Sequence, residues 1–260
     1  IVTSTTSDPP AKSVPECFLE LLDEWGCHWM WDSIKVVGED GWLEEAIREG
    51  TVCAVTDGSF IREIFPDVCP AAFVIECSKG RGRIMGSFPE QSARANAYRA
   101  ELLGLMAIHL VLLATSKTIT NLEGHVKIYS DCIGALGRIV SLPATRIPSS
   151  CKHADVLKNV MVNCKDLPFS REYLHVKGHQ DDQEGYSTLC RPAQLNCWAD
   201  YEAKSVIWDR MGKAPLKQQP FPLEPVTVWV GDHKLLPDSD VDLRFWVHGT
   251  IAKKTFVDLK

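Results

Sequence analysis

The chain has 260 residues, 45% of them hydrophobic and 24% charged, with 17 Gly and 15 Pro. Those proportions exclude a disordered tail, a collagen and a coiled coil, and they fit one large or two small globular domains. The formal net charge of −6 argues against a nucleic-acid binder until its distribution is read: residues 1–50 hold 11 acids and 3 bases, so the remaining 210 residues sum to +2.

The longest apolar run, Leu102–Ala114, is broken by Gly104 and His109 and falls short of the ~18 residues a bilayer span needs, so no membrane partner is expected. No basic stretch followed by an apolar one marks a secretory signal. Ten Cys are scattered without a CxxC pair, which reads as free thiols in a reducing, intracellular compartment, cytoplasm or nucleus. The chain begins Ile1-Val2-Thr3 without Met and is expected to be a piece of something longer.

In chain order, residues 1–15 are rich in Ser, Thr and Pro and read as disordered. Cys17–Trp25 and Trp42–Arg48 read as short amphipathic helices, and Trp25, Trp29, Trp31 and Trp42 are expected to anchor this acidic stretch to its neighbour. Val52–Val55 is a short apolar strand leading into Asp57-Gly58-Ser59. Ala71–Cys77 and Arg83–Phe88 form a hairpin around the glycines of Ser78–Gly82. Asn96–Ala114 carries Leu102, Leu105, Met106, His109, Leu110 and Leu113 at helical spacing, which makes His109 a core residue. A strand at Val126–Ser130, a helix at Cys132–Val140, a Pro-bearing loop at Leu142–Ser150 and a helix at Lys152–Leu167 follow. Glu172–Lys177 is the fifth strand, with His175 packed in it; Gln180–Leu195 is a polar loop and Asn196–Arg210 a closing helix. Strands alternating with helices after an antiparallel start imply a mixed sheet in an α/β fold.

The expected organisation is an acidic Trp-rich extension over 1–49, a catalytic domain over 50–210, a Pro-rich linker over 211–225 and a C-terminal extension over 226–260. That last segment is read as a hairpin around Gly231-Asp232, an acidic turn at Asp238–Asp242 and a helix at Leu243–Phe256.

Four acids stand where chemistry is expected. Asp57 and Asp131 end strands, where open α/β sheets bind ligands, and Glu101 and Asp200 lie in early turns of helices. Carboxylates gathered in one crevice repel unless a cation neutralises them. Oxygen donors without Cys suit two Mg²⁺ ions, with Mn²⁺ the alternative, and such a pair can activate water and stabilise the leaving oxygen of a phosphodiester. A zinc site from His175, His179, Cys190 and Cys197 is disfavoured, because the pairs lack close ligand spacing.

Five segments then line up: Thr56-Asp57-Gly58-Ser59, Tyr98-Arg99-Ala100-Glu101-Leu102, Tyr129-Ser130-Asp131, His175-Val176-Lys177-Gly178-His179 and Asn196-Cys197-Trp198-Ala199-Asp200. With them, residues 50–210 resemble a type 1 ribonuclease H domain of the kind retroelements encode. The resemblance implies a five-stranded mixed sheet of order 3-2-1-4-5 flanked by helices. It implies two metal ions on Asp57, Glu101, Asp131 and Asp200, and hydrolysis of the RNA strand of an RNA–DNA hybrid to a 3′-hydroxyl and a 5′-phosphate. His179 matches a loop histidine that assists proton movement or product release. Gly58, Ser59, Asn96, Arg99 and Asn196 are the implied substrate contacts, Asn196 serving equally as a helix N-cap.

Two departures touch the nucleotide contacts: Ala97-Tyr98 replaces an asparagine pair, and Ile133 stands where a polar contact is common. Lys79, Arg81, Arg83, Arg94 and Arg99 are the candidates for gripping phosphates. Such domains follow a reverse transcriptase in a polyprotein, so that is the expected partner. The competing readings are a related metal-dependent domain acting on DNA and a catalytically silent domain that binds hybrid or scaffolds a larger protein.

Overall fold

The computed structural model describes residues 17–141, 147–148, 151–224, 227–231 and 233–236. The stretch expected to be disordered at 1–15, most of the loop expected at 142–150, the acidic turn at 238–242 and the helix at 243–256 lie outside them.

The elements are α1 (Phe18–Glu24), β1 (Lys35–Gly38), α2 (Trp42–Arg48), β2 (Val52–Gly58), β3 (Val68–Cys77), β4 (Gly82–Gln91), α3 (Ala97–Thr118), β5 (His125–Ser130), α4 (Ile133–Ser141), α5 (Ala154–Lys165), β6 (Ser170–His175), α6 (Arg191–Asp209), β7 (Val228–Val230) and β8 (His233–Leu235). The main sheet runs β1-β4-β3-β2-β5-β6. β2, β3 and β4 pair antiparallel, and β2–β5 and β5–β6 pair parallel. The five expected strands thus take the order expected of the ribonuclease H-like fold. A sixth, β1, adds to the edge from the N-terminal stretch, pairing antiparallel with β4.

One face of the sheet carries α3, with α1, α4 and α5 packed around it; α6 covers β2, β3 and β4 from the other. Strand alternation divides the apolar side chains accordingly. Ala54 and Phe73 join the cluster that contains Leu102, Leu105 and Met106, whereas Val55 and Val74 meet Leu195 on α6. α3 is long and apolar enough to cross a bilayer by length and composition, with mean hydropathy 1.5, yet 89% of that window is buried inside this domain. Its close seat on β2 depends on Gly104, where a Cβ would collide with the Thr56 hydroxyl, itself bonded to the Ala72 carbonyl at 2.8 Å.

The N-terminal segment belongs to this same core. Leu22, Met30, Trp31, Trp42, Leu43, Ala46 and Ile47 are all buried in the α3 cluster, and Trp25 and Trp29 pack against it. Trp42 lies over Gly82, so close that a Cβ there would strike the indole. The tryptophans are anchors, as expected. The Pro-rich stretch after α6 also packs back: Phe221 is buried beside Trp29, and the Pro222 carbonyl accepts from Asn159 Nδ2 at 2.7 Å. α6 begins at Arg191 rather than at Asn196, because Pro192 fits the first helical turn, where no N–H is needed.

Candidate active site

Parallel pairing of β2 with β5 runs from Val52↔Val126 to Val55↔Tyr129, and two more places bring Asp57 beside Asp131. Glu101 reaches the same point from the second turn of α3. That approach needs Gly58, because a Cβ there would run into the backbone of Ala100 and Glu101. The Gly58 amide donates to Asp57 Oδ1 at 2.9 Å and to Glu101 Oε1 at 3.0 Å. On the far side, Gly178 of the loop after β6 lies against the Asp131 carboxylate, so that a Cβ there would strike Asp131 Oδ2. Asp57, Glu101 and Asp131 each offer an oxygen within 4.8 Å of the others.

The electrostatics follow from this crowding. Burial, reinforced by the charges of Asp131 and Asp200, pushes the Asp57 carboxyl up to about 7. Glu101 is held well above the carboxylate range, first by burial and then by Asp57 and Asp131. Asp131 is also raised by burial, against the opposing pull of His179 and His175. Three carboxyls that resist ionising together are a site that favours a cation. Their donors are oxygen throughout, which suits Mg²⁺ or Mn²⁺ and fits the expected metal.

Asp200, on α6, stands at the rim. Its Oδ2 accepts from Lys204 Nζ at 2.6 Å and lies 3.8 Å from His179 Nδ1. His179 is mostly exposed, in the left-handed conformation at φ 51° that starts the 3₁₀ turn Gln180–Asp182.

The expected substrate contacts divide. Gly58 and Ser59 line the strand end, with Ser59 buried. Asn96 caps α3, accepting from the Arg99 amide at 2.9 Å, and its Nδ2 meets His153 Nε2 at 3.1 Å. Arg99 cannot serve as a phosphate contact: it is fully buried, paired with Glu90 at 2.6 Å and Asp155 at 2.8 Å. Burial works against its charge, and those two carboxylates override it, holding it well above its ordinary value. Asn196 is interior to α6, so it is not the N-cap; it is buried, and its Nδ2 has no hydrogen-bond partner among the described residues.

Three further phosphate candidates are occupied. Lys79 pairs with Glu49 at 3.0 Å, Arg81 with Glu45 at 3.0 Å and with Glu49, and Arg83 Nε with Glu76 at 2.7 Å. The acidic N-terminal segment therefore neutralises Lys79 and Arg81 of the β3–β4 turn, and Arg83 is paired within the hairpin. Arg94 is half-buried ahead of α3. The departure at Ile133 puts an apolar side chain, 66% exposed, at the start of α4.

His175 is exposed, not packed as expected: it shares a sheet face with Tyr173 but is the last residue of β6. His109 is buried as expected, its ring bridging the Leu105 carbonyl and the Tyr173 hydroxyl. The four residues of the disfavoured zinc reading do not gather among the described residues, and all ten cysteines are free. Sequence reasoning missed Lys204, although its i,i+4 spacing from Asp200 was the available signal.

No protein-family model matches the chain, and no curated protein does. Among solved structures, it is similar to the ribonuclease H domain of PFV, with 16% identity over 63% of this chain and 98% of that one, at a TM-score of 0.46. It is also similar to the Prototype Foamy Virus protease–reverse transcriptase, with 17% identity over 62% of this chain and 21% of that one, at 0.46. A third similarity is to LC11-RNase H1 in complex with an RNA/DNA hybrid, with 13% identity over 62% of this chain and 99% of that one, at 0.43.

Proposed function

We propose that this chain is a metal-dependent ribonuclease H, an endonuclease that cuts the RNA strand of RNA–DNA hybrids. The observation that carries this is the convergence of Asp57, Glu101 and Asp131 at the C-terminal ends of adjacent parallel strands, with Asp200 and His179 at the rim. A crevice of buried carboxylates has no evident structural purpose, since their mutual repulsion works against the fold.

Asp57, Glu101 and Asp131, joined by Asp200, would hold the cations. Two Mg²⁺ or Mn²⁺ ions there would supply an activated water and stabilise the charge developing on the leaving oxygen. The chain's own residues do the rest. The Gly58 amide orients two of the carboxylates through its pair of hydrogen bonds. His179 reaches over the rim on an exposed loop, where an imidazole can take or give a proton as the product leaves. Ser59, two residues after Asp57, stands at the strand end as the nearest polar side chain for a nucleotide contact, whereas Asn196, one helical turn before Asp200, is buried within α6.

The parent is proposed to be a retroelement polyprotein acting inside the cell, in which a reverse transcriptase makes the hybrid and this domain removes its RNA. The test is cleavage of a labelled RNA–DNA hybrid with Mg²⁺, beside EDTA and Asp57→Asn controls, with duplex DNA and single-stranded RNA as competing substrates. Hybrid-only cutting, lost in both controls, is the expected result. Hybrid bound but uncut would replace this reading with the silent binding domain, and cutting of duplex DNA would replace it with the DNA-directed one.

A further inference from the structure

The three inner carboxylates form one group of mutually close oxygens; Asp200 is not among them. Its Oδ2 is engaged by Lys204 at 2.6 Å, with His179 Nδ1 3.8 Å away. Lys204 lies one helical turn beyond Asp200 on α6, so the pair is built into the helix and needs no loop to form it. The lysine side chain is 43% exposed and the aspartate 20% exposed, so the ammonium group can leave for solvent without being buried unpaired.

We propose that Lys204 sets the order in which this site fills, holding Asp200 out of the ligand set so that the inner three carboxylates take a first divalent cation and a second enters only when Asp200 exchanges the lysine for the ion. Lys204 is then a positioning residue. It keeps Asp200 oriented in the metal-poor state, and it makes the second cation compete against an ammonium group already in place. The physical basis is that both partners of Asp200 are cations or potential cations, and a carboxylate oxygen shared with a lysine is a weaker ligand for a metal. This inference rests on the nuclease reading above, from which it takes the identity of the ions.

The experiment is calorimetric titration of the whole chain with Mn²⁺ and with Mg²⁺, in wild type, Lys204→Met and Lys204→Arg, each checked for an unchanged circular dichroism spectrum. Wild type should show one tighter and one weaker site. Lys204→Met should tighten the weaker site by about twofold, the equivalent of an exposed i,i+4 ion pair, and leave the tighter one unchanged. Lys204→Arg, which keeps a cation at that distance, should stay close to wild type. The cation concentration for half-maximal cleavage should fall in Lys204→Met in parallel.

The proposal is overturned if Lys204→Met leaves both sites unchanged, or if it weakens the second site. Failure of the nuclease reading looks different. It would be a wild-type chain that takes up no divalent cation, or whose uptake is insensitive to Asp57→Asn. In that case the lysine has no second ion to exclude and the proposal falls with it.

Discussion

The backbone amide of Gly58 hydrogen-bonds to Glu101 Oε1 at 3.0 Å while also holding Asp57 Oδ1 at 2.9 Å, so one N–H orients carboxylates 44 residues apart in the chain, on a strand and on a helix. That contact exists because residue 58 has no Cβ; any side chain there would meet the backbone of Ala100 and Glu101. Gly58→Ala should therefore both destabilise the fold by about 1–3 kcal/mol, as overpacking does, and misplace Glu101. Denaturant titration and cation titration of the same variant would read the two effects separately.

Asp57→Asn, Glu101→Gln and Asp131→Asn should each lower metal-dependent cleavage of hybrid by at least about a hundredfold, since loss of a group that merely hydrogen-bonds to a metal ligand already costs about 10–100-fold. None should unfold the chain. Each removes a charge from a crowded, buried site, and melting temperature in EDTA should hold or rise.

The carboxyl cluster also gives stability a pH dependence of definite sign. The folded Asp57 titrates at about 7, above its ordinary carboxylate range, so the native state binds the extra proton between those limits. Stability from this group is full below the unfolded value and is lost as pH rises through about 7. Glu101 is displaced in the same direction. In EDTA, the melting temperature should fall by several degrees between about pH 5.5 and about pH 8.5, a ΔΔG of 1 kcal/mol being worth about 2–4 °C in a domain of this size. Adding Mg²⁺ at the higher pH should restore it, and Asp57→Asn should flatten the slope.

Arg99 is predicted to be structural and nothing else. It lies fully buried between Glu90 and Asp155, so Arg99→Met would leave two carboxylates without their cation. The expected loss is roughly 3–5 kcal/mol by urea denaturation. Affinity for hybrid, measured on whatever fraction remains folded, should not change.

The N-terminal segment should prove inseparable from the catalytic core. Trp42→Ala should lower stability by about 3–5 kcal/mol, the usual range for a buried aromatic. A chain beginning at Thr51 should aggregate or melt early, because it uncovers the core surface that Leu22, Met30, Ala46 and Ile47 bury.

Much of this was legible in the order of residues. Period-two and period-3.6 apolar patterns located five strands and the principal helices, since burial on one face leaves that imprint on any chain. Asp57 and Asp131 could be placed because a strand followed by Gly or a polar turn must end there, and Glu101 because its helix starts at Ala97; Asp200 lies in the third turn of α6 rather than an early one, because that helix starts at Arg191. His109 was legible as core, being embedded in an apolar helical face. What could not be read was anything depending on which surfaces meet. β1 is four residues long and exposed on both faces, so it carries no periodic signal; only the neighbouring β4 makes it a strand. Arg99 resembles a surface base until Glu90 and Asp155, nine residues before it and 56 after, enclose it. Lys79 and Arg81 read as available for phosphate until Glu45 of α2 and Glu49 just after it are folded onto them. The identity of the acids and the ends of the elements that bear them are properties of local sequence, because hydrophobic period and turn chemistry are local. Whether a charge is free, paired or buried is a property of the tertiary structure, because Coulomb attraction and desolvation depend on distance and surroundings that only the folded chain supplies.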